Sequence, residues 1–146
     1  MILADVNVLI HAYRDDASLH GLYRPWLESL INGDEPYGVS PLALSGLMRI
    51  VTNPRIYPRP DPVADVVSFA QSLVNQPHCR VIHPGPRHWQ MFCELCRTTK
   101  ATGDLIPDAW FAALAIEHGC EWITEDRDFA RFPGLRWRSL SKKSAK

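Results

Sequence analysis

The sequence predicts an α/β domain with a mainly parallel central sheet of four to five short strands flanked by helices. Two observations carry this. Short apolar runs (MILA, YGV, RVI, EWI, LRW) stand apart from longer stretches whose apolar residues recur every three or four positions. The two kinds of segment also alternate along the chain, as in repeated strand–helix–strand units.

Each element has a local reason. Residues 1–4 read as a buried strand, and Asp5 or Asn7 then offers a cap for a helix ending near Arg14. Leu19–Ile31 carries Leu22, Trp26, Leu27, Leu30 and Ile31 as a helical stripe, closed by Asn32-Gly33. Tyr37–Val39 is a short strand. Ser40-Pro41 opens a helix with Leu44, Leu47, Met48 and Val51 on one face, and Asn53-Pro54 ends it. Residues 54–62 (PRIYPRPDP) form a proline-rich basic excursion within the domain. Asp61-Pro62 starts a helix with Val63, Val66, Val67, Ala70 and Leu73 as its apolar set. Arg80–Ile82 is a strand, and Pro86–Thr99 a helix with Trp89, Phe92, Leu95 and Cys96 on one face. After a loop through Gly103, Pro107 begins a helix that is apolar nearly all round, a buried helix, stopping at Gly119. Glu121–Ile123 is a strand, Asp126–Phe132 a turn or short helix, and Leu135–Trp137 a last short strand. The expected layout is one domain over residues 1–140 and a flexible tail over 141–146.

Composition narrows the function classes. The 146 residues hold 16 basic and 16 acidic side chains, with 46% hydrophobic and 22% charged residues, an ordinary globule rather than a disordered acidic chain. Zero net charge gives no global signature of nucleic-acid binding. The longest stretch without Asp, Glu, Lys or Arg, Val66–Cys79, is too short and too polar to span a bilayer, which needs about 20 apolar residues. The start of the chain has no basic lead-in, so no secretory signal is expected and the cytoplasm is the expected location. The charge is unevenly spread: −4 over residues 1–45, +4 over 46–100 and balanced beyond. Arg outnumbers Lys, which suits bidentate phosphate contact. Cys93 and Cys96 form a C-x-x-C inside a helix, without the second close pair a zinc site wants. With Cys79 and Cys120 they read as small buried thiols.

The acids mark the candidate site. Ligands of open α/β sheets bind outside the carboxyl ends of the strands. Asp5 follows the first strand, Thr124, Glu125, Asp126 and Asp128 follow the Trp122 strand, and Asp108 lies in the first turn of the buried helix. Taken singly, each aspartate reads as a helix or turn cap, or as a charge favoured by a helix dipole. Gathered in one cleft they repel, and a cation neutralises them. Oxygen-only ligands select a hard ion, Mg²⁺ with Mn²⁺ as a substitute, which polarises a phosphodiester and acidifies a bound water.

Three stretches resemble the VapC family of PIN-domain ribonuclease toxins. MILADVNVLIHAY is similar to the opening of a PIN domain, with its D-x-N after strand one. LSGLMRIVTNPRIY is similar to the third-helix region of VapC proteins. TGDLIPDAWFAALAIEHGCEWITEDRDFARFPGLRW carries their C-terminal signature: Gly, Asp-Ala opening an Ala-rich helix, Thr-x-Asp-x-Asp-Phe, then Phe-Pro-Gly-Leu. The resemblance covers nearly the whole chain. It implies a Mg²⁺-dependent endoribonuclease acting on a structured RNA (tRNA or rRNA), inhibited by a cognate VapB-type antitoxin and forming a homodimer. It also implies that Asp5 and Asp108 hold the metal, that Asp126 orients or activates water, and that Asn7 supports the first acid. Thr124 and Asp128 are further supporting candidates. One departure stands out: Gly46 occupies the third-helix position where many relatives carry Glu, so that either Asp104, Glu125 or Asp128 stands in or water fills the coordination shell. Arg49, Arg55 and Arg59, with Arg87 and Arg97, are candidate RNA-binding residues, and Trp89 and Tyr57 candidate base-stacking ones. The alternative reading is an RNA- or partner-binding PIN-like module with a degenerate nuclease site.

Overall fold

In the computed structural model, which describes residues 1–141, the strands are β1 (Ile2–Ala4), β2 (Tyr37–Val39), β3 (Cys79–Val81), β4 (Glu121–Ile123) and β5 (Trp137–Arg138). They pair in the order β3-β2-β1-β4-β5, every pairing parallel. Six helices flank them: α1 (Val6–Tyr13), α2 (His20–Asn32), α3 (Pro41–Val51), α4 (Val63–Val74), α5 (His88–Thr99) and α6 (Leu105–Glu117), followed by a 3₁₀ turn at Arg127–Arg131. The tail expected at 141–146 lies outside the described residues from position 142 on.

The strand order creates the site. From β1 the chain moves to β2 and β3 on one side of the sheet, then returns across it to β4 and β5 on the other. Right-handed crossovers in opposite directions put their helices on opposite faces. Accordingly α1 packs on α2 and α3, and α4 on α3, whereas α5 and α6 pair with each other. The connections leaving β1 and β4 diverge, and a crevice opens between the carboxyl ends of these neighbouring strands. Leu3 of β1, fully buried, pairs with Gly38 on one side and with the fully buried Trp122 on the other. Trp122 stacks on Phe111 of α6 (centroids 5.2 Å) and meets Phe129 of the 3₁₀ turn (5.4 Å), so one aromatic row ties α6, β4 and the turn together.

The structure corrects several boundaries. The buried helix starts at Leu105, two residues before Pro107. Proline fits within this first turn because its missing N–H would have had no intrahelical acceptor. The α5 helix starts at His88 rather than Pro86, β3 covers Cys79–Val81, and β5 covers only Trp137–Arg138 rather than Leu135–Trp137. In α2 the helix runs through Pro25 and ends at Asn32. The four cysteines are free thiols: Cys120 is buried and the other three are partly exposed.

Candidate active site at the switch point of the sheet

Asp5 is both a cap and a buried carboxylate. Its backbone N–H donates to the Ile123 carbonyl (2.9 Å), which seats it where β1 and β4 end side by side. One carboxylate oxygen accepts the Val6 N–H (2.6 Å) and so caps α1. The other accepts from the Thr124 hydroxyl (2.7 Å) and the Asn7 amide (3.3 Å). Asp5 is only 7% exposed, and burial pushes its pKa up to about 6, against the hydrogen bonds from Thr124 and Val6, with Asp126 adding repulsion.

Thr124 and Asn7 organise the facing loop. The Thr124 hydroxyl, fully buried, donates to Asp5 and accepts the Asp126 N–H (3.0 Å) and the Asn7 amide (3.3 Å). The Asn7 carbonyl oxygen accepts the Glu125 N–H (3.2 Å). Asp126 in turn accepts the Asp128 N–H (2.9 Å) and caps the 3₁₀ turn. The cap readings of Asp5 and Asp126 are therefore real, and they coexist with convergence on one crevice.

Asp108, in the first turn of α6, completes the group. It is partly exposed, and has no hydrogen-bond or ion-pair partner among the described residues. Burial pushes its pKa up to about 7, and the negative charges of Asp126, Asp5, Asp128 and Asp104, in that order, push the same way. Four other acids thus lie within electrostatic reach of an uncompensated carboxylate. This hard-oxygen set suits a divalent cation of the Mg²⁺ or Mn²⁺ type. Among the described residues, no three His, Cys, Asp or Glu side chains already stand at ligand spacing, so the acids form a shared negative field rather than a closed cage.

The stand-in candidates separate. Asp104 and Asp128 act on Asp108 through space. Glu125 does not face the acids: its carboxylate accepts hydrogen bonds from the hydroxyls of Tyr23 and Ser139. At Gly46, an added Cβ would lie 2.9 Å from Cγ2 of Val6, so α1 occupies the space in which a side chain at that position would begin. The arginines separate as well. The α3 helix starts beside the carboxyl end of β2 and runs away from it for 11 residues, about 16 Å. Arg49 lies in its last turn, and Arg55 and Arg59 lie beyond it, so the structure does not bring these three to the acids. The Arg59 carbonyl instead accepts from Arg14 (3.2 Å), which also pairs with Asp16 (2.7 Å) and Asp61 (2.9 Å) and lies over the Tyr57 ring. Trp89 is 70% exposed, so it is not a core residue. Tyr23 and Ser139 escaped sequence reasoning because a tyrosine in an apolar helical stripe and a serine near a chain end carry no pattern.

Fold and site together define a class: a small doubly wound α/β domain with carboxylates gathered where the strand order reverses. Comparison with known proteins makes it specific. A family model described as PIN domain matches residues 2–135, and the chain belongs to the PIN-domain family, among its VapC members. Ribonuclease VapC25 of Mycobacterium tuberculosis is 44% identical over 136 residues, covering 93% of this chain and 96% of that protein. The VapC ribonuclease Mb2897 of Mycobacterium bovis is 42% identical over 138 residues, covering 94% of each. Among solved structures, VapBC2 from Rickettsia felis bound to a DNA fragment from its promoter has a TM-score of 0.70 at 18% identity, covering 95% of this chain and 98% of that one. VapC20 of Mycobacterium tuberculosis, described as a sarcin–ricin-loop-cleaving toxin, has a TM-score of 0.64 at 16% identity, covering 93% and 99%. At these identities the structural likenesses speak for the fold.

Proposed function

We propose that this chain is the toxin of a VapBC-type pair, a divalent-metal-dependent endoribonuclease that cuts a structured RNA, tRNA or rRNA, and so stops translation in the cytoplasm. The observation that carries the reading is Asp108, a carboxylate without a hydrogen-bond or ion-pair partner among the described residues, held in the field of four other acids. The relatives that bear the ribonuclease name support it. Neighbours solved as VapBC assemblies support a VapB-type antitoxin as partner. The whole of residues 1–140 acts as one PIN-like domain, paired with a second copy in a homodimer.

In this reading Asp5 and Asp108 hold the cation, Mg²⁺ or Mn²⁺ in its place. When bound, the ion polarises the phosphodiester and acidifies a water. The chain's own groups do the rest. Thr124 and Asn7 fix one oxygen of Asp5, so its carboxylate cannot swing away. Asp126, with its peptide N–H tied to Thr124, orients the attacking water and takes its proton. Asp104 and Asp128 add negative charge where Gly46 supplies none. Arg49, Arg55 and Arg59 hold the RNA backbone away from the cut rather than at it.

Gly46 favours one second reading: with no acid on α3, the chain binds RNA or a partner without cutting. The experiment is cleavage of total cellular RNA by antitoxin-free protein with Mg²⁺, with EDTA, and in the Asp5→Asn and Asp108→Asn variants. The nuclease reading expects discrete fragments that require the metal and fall at least about a hundredfold with either variant, since metal assistance supplies several kcal/mol. Folded, metal-supplied protein that binds RNA yet cuts none of it supports the second reading.

A further inference from the structure

Glu125 stands between Thr124 and Asp126, yet its side chain leaves the acidic crevice. The carboxylate takes two O–H donors on one oxygen, from Tyr23 of α2 and from Ser139 just beyond β5. Tyr23 is fully buried, and its hydroxyl also accepts the Leu140 N–H (3.2 Å). Its ring stacks on His11 of α1 (centroids 5.9 Å, 22° between planes). The Ser139 hydroxyl accepts the Ser141 N–H (3.0 Å). Two backbone N–H groups of the segment are held as well, that of Glu125 by the Asn7 side chain and that of Asp126 by the Thr124 hydroxyl. The Thr124–Asp126 segment is therefore held by two sets of contacts. One grip is the network around Asp5. The other is a strap made of α2 and the segment after β5.

We infer that Glu125 is the positioning residue for Asp126: pinned by Tyr23 and Ser139, it fixes the backbone that carries the water-orienting carboxylate, and it is not one of the acids that meet the cation. The inference rests on the proposed nuclease reading for its catalytic consequence. Two physical reasons keep Glu125 in place. Turning it into the crevice would strip a buried tyrosine hydroxyl of its acceptor, which costs about 1–3 kcal/mol. The turn would also add one more negative charge beside Asp126 and Asp108. Tyr23 stays a donor at any physiological pH, because burial and Glu125 push its pKa up to about 12. The segment after β5 thereby becomes a support of the active site rather than a passive end.

The test uses the full chain and four variants: Glu125→Ala, Glu125→Gln, Tyr23→Phe and Ser139→Ala. Gln keeps an oxygen able to accept both hydroxyls, but carries no charge. Ala removes the acceptor. Glu125→Ala should lower kcat for RNA cleavage about 10–100-fold with KM unchanged, and leave Mn²⁺ binding measured by calorimetry within about threefold of the wild type, because Asp5 and Asp108 hold the cation. Glu125→Gln should stay within about threefold of the wild type, with Ser139→Ala and Tyr23→Phe falling between. Ser139 is partly exposed, so its truncation disturbs packing least, and a thermal melt of Ser139→Ala checks that the fold is kept. Glu125→Ala indistinguishable from the wild type overturns the inference. A loss of Mn²⁺ affinity of about tenfold or more in Glu125→Ala or Glu125→Gln also overturns it, because Glu125 would then be a ligand. If the wild type cuts no RNA, the nuclease reading fails on its own, and the strap stands or falls separately. Amide hydrogen exchange then decides: the Asp126 N–H should exchange at least about tenfold faster in Glu125→Ala and not in Glu125→Gln. Equal protection in all variants rejects the strap.

Discussion

Thr124 carries no charge and no exposed surface, yet it is the residue on which the acids depend. Its single hydroxyl reaches Asp5, Asn7 and the Asp126 N–H. Thr124→Val keeps the shape and removes the hydroxyl. Thermal denaturation should show a loss of about 1–3 kcal/mol, because the Asp126 N–H and the Asn7 amide lose an acceptor. An NMR titration should find the Asp5 pKa above its present value of about 6, because the Thr124 hydrogen bond is the largest influence holding it down. Legibility at this scale is uneven. Asp5, Asp108 and Asp126 can be picked out in the sequence because each sits at the end of a strand or the start of a helix, where side chains are displayed to a ligand. The opposite orientations of Glu125 and Asp126 cannot, because neighbours in a loop carry no periodicity to say which way each points.

At the scale of elements, the contact between α1 and α3 decides what Gly46 means. An added Cβ would lie 2.9 Å from Val6 Cγ2, closer than side-chain atoms pack. Gly46→Ala should therefore destabilise the chain by about 1–3 kcal/mol in chemical denaturation, despite alanine's better helix propensity. Pairing it with Val6→Ala should recover part of the loss, a non-additive result that identifies the clash. Gly46→Glu should lose stability rather than gain nuclease activity. The end of α5 offers an opposite case. Lys100 closes that helix at φ 54°, ψ 47°, a left-handed conformation that suits glycine. Lys100→Gly should raise the melting temperature, by up to about 1 kcal/mol of stability. Most helices are readable from their apolar spacing, and α1 and α3 also from their side-chain caps, Asp5 and Ser40. The start of α6 was not, since Pro107 signals a helix beginning and is equally at home inside a first turn. The two-residue β5 is too short for any alternation to mark its register.

For the molecule as a whole, the acids link stability to pH. Asp5 and Asp108 have an ordinary value of 3.8 when unfolded, and about 6 and about 7 when folded. Between about pH 4 and about pH 7 the cation-free folded chain thus holds more protons than the unfolded one, so stability falls as pH rises through that window. A melting series in EDTA should show this decline through that window. Asp108→Asn should flatten the curve, matching the wild type near pH 4 and exceeding it at pH 8, and Mg²⁺ or Mn²⁺ at pH 8 should restore the wild type. The parallel sheet was legible from alternation, whereas the strand order was not, because no local signal states that β1 lies between β2 and β4. That placement fixes a birth order. A nascent chain acquires Asp5 first, but Asp108, Thr124 and Asp126 follow only more than 100 residues later, with Ser139 later still. Until β4 slots in beside β1, the growing polypeptide holds one isolated carboxylate at a bare strand edge. Whatever the gathered acids do, they can begin only after the machinery assembling the chain has delivered β4 and the loop behind it.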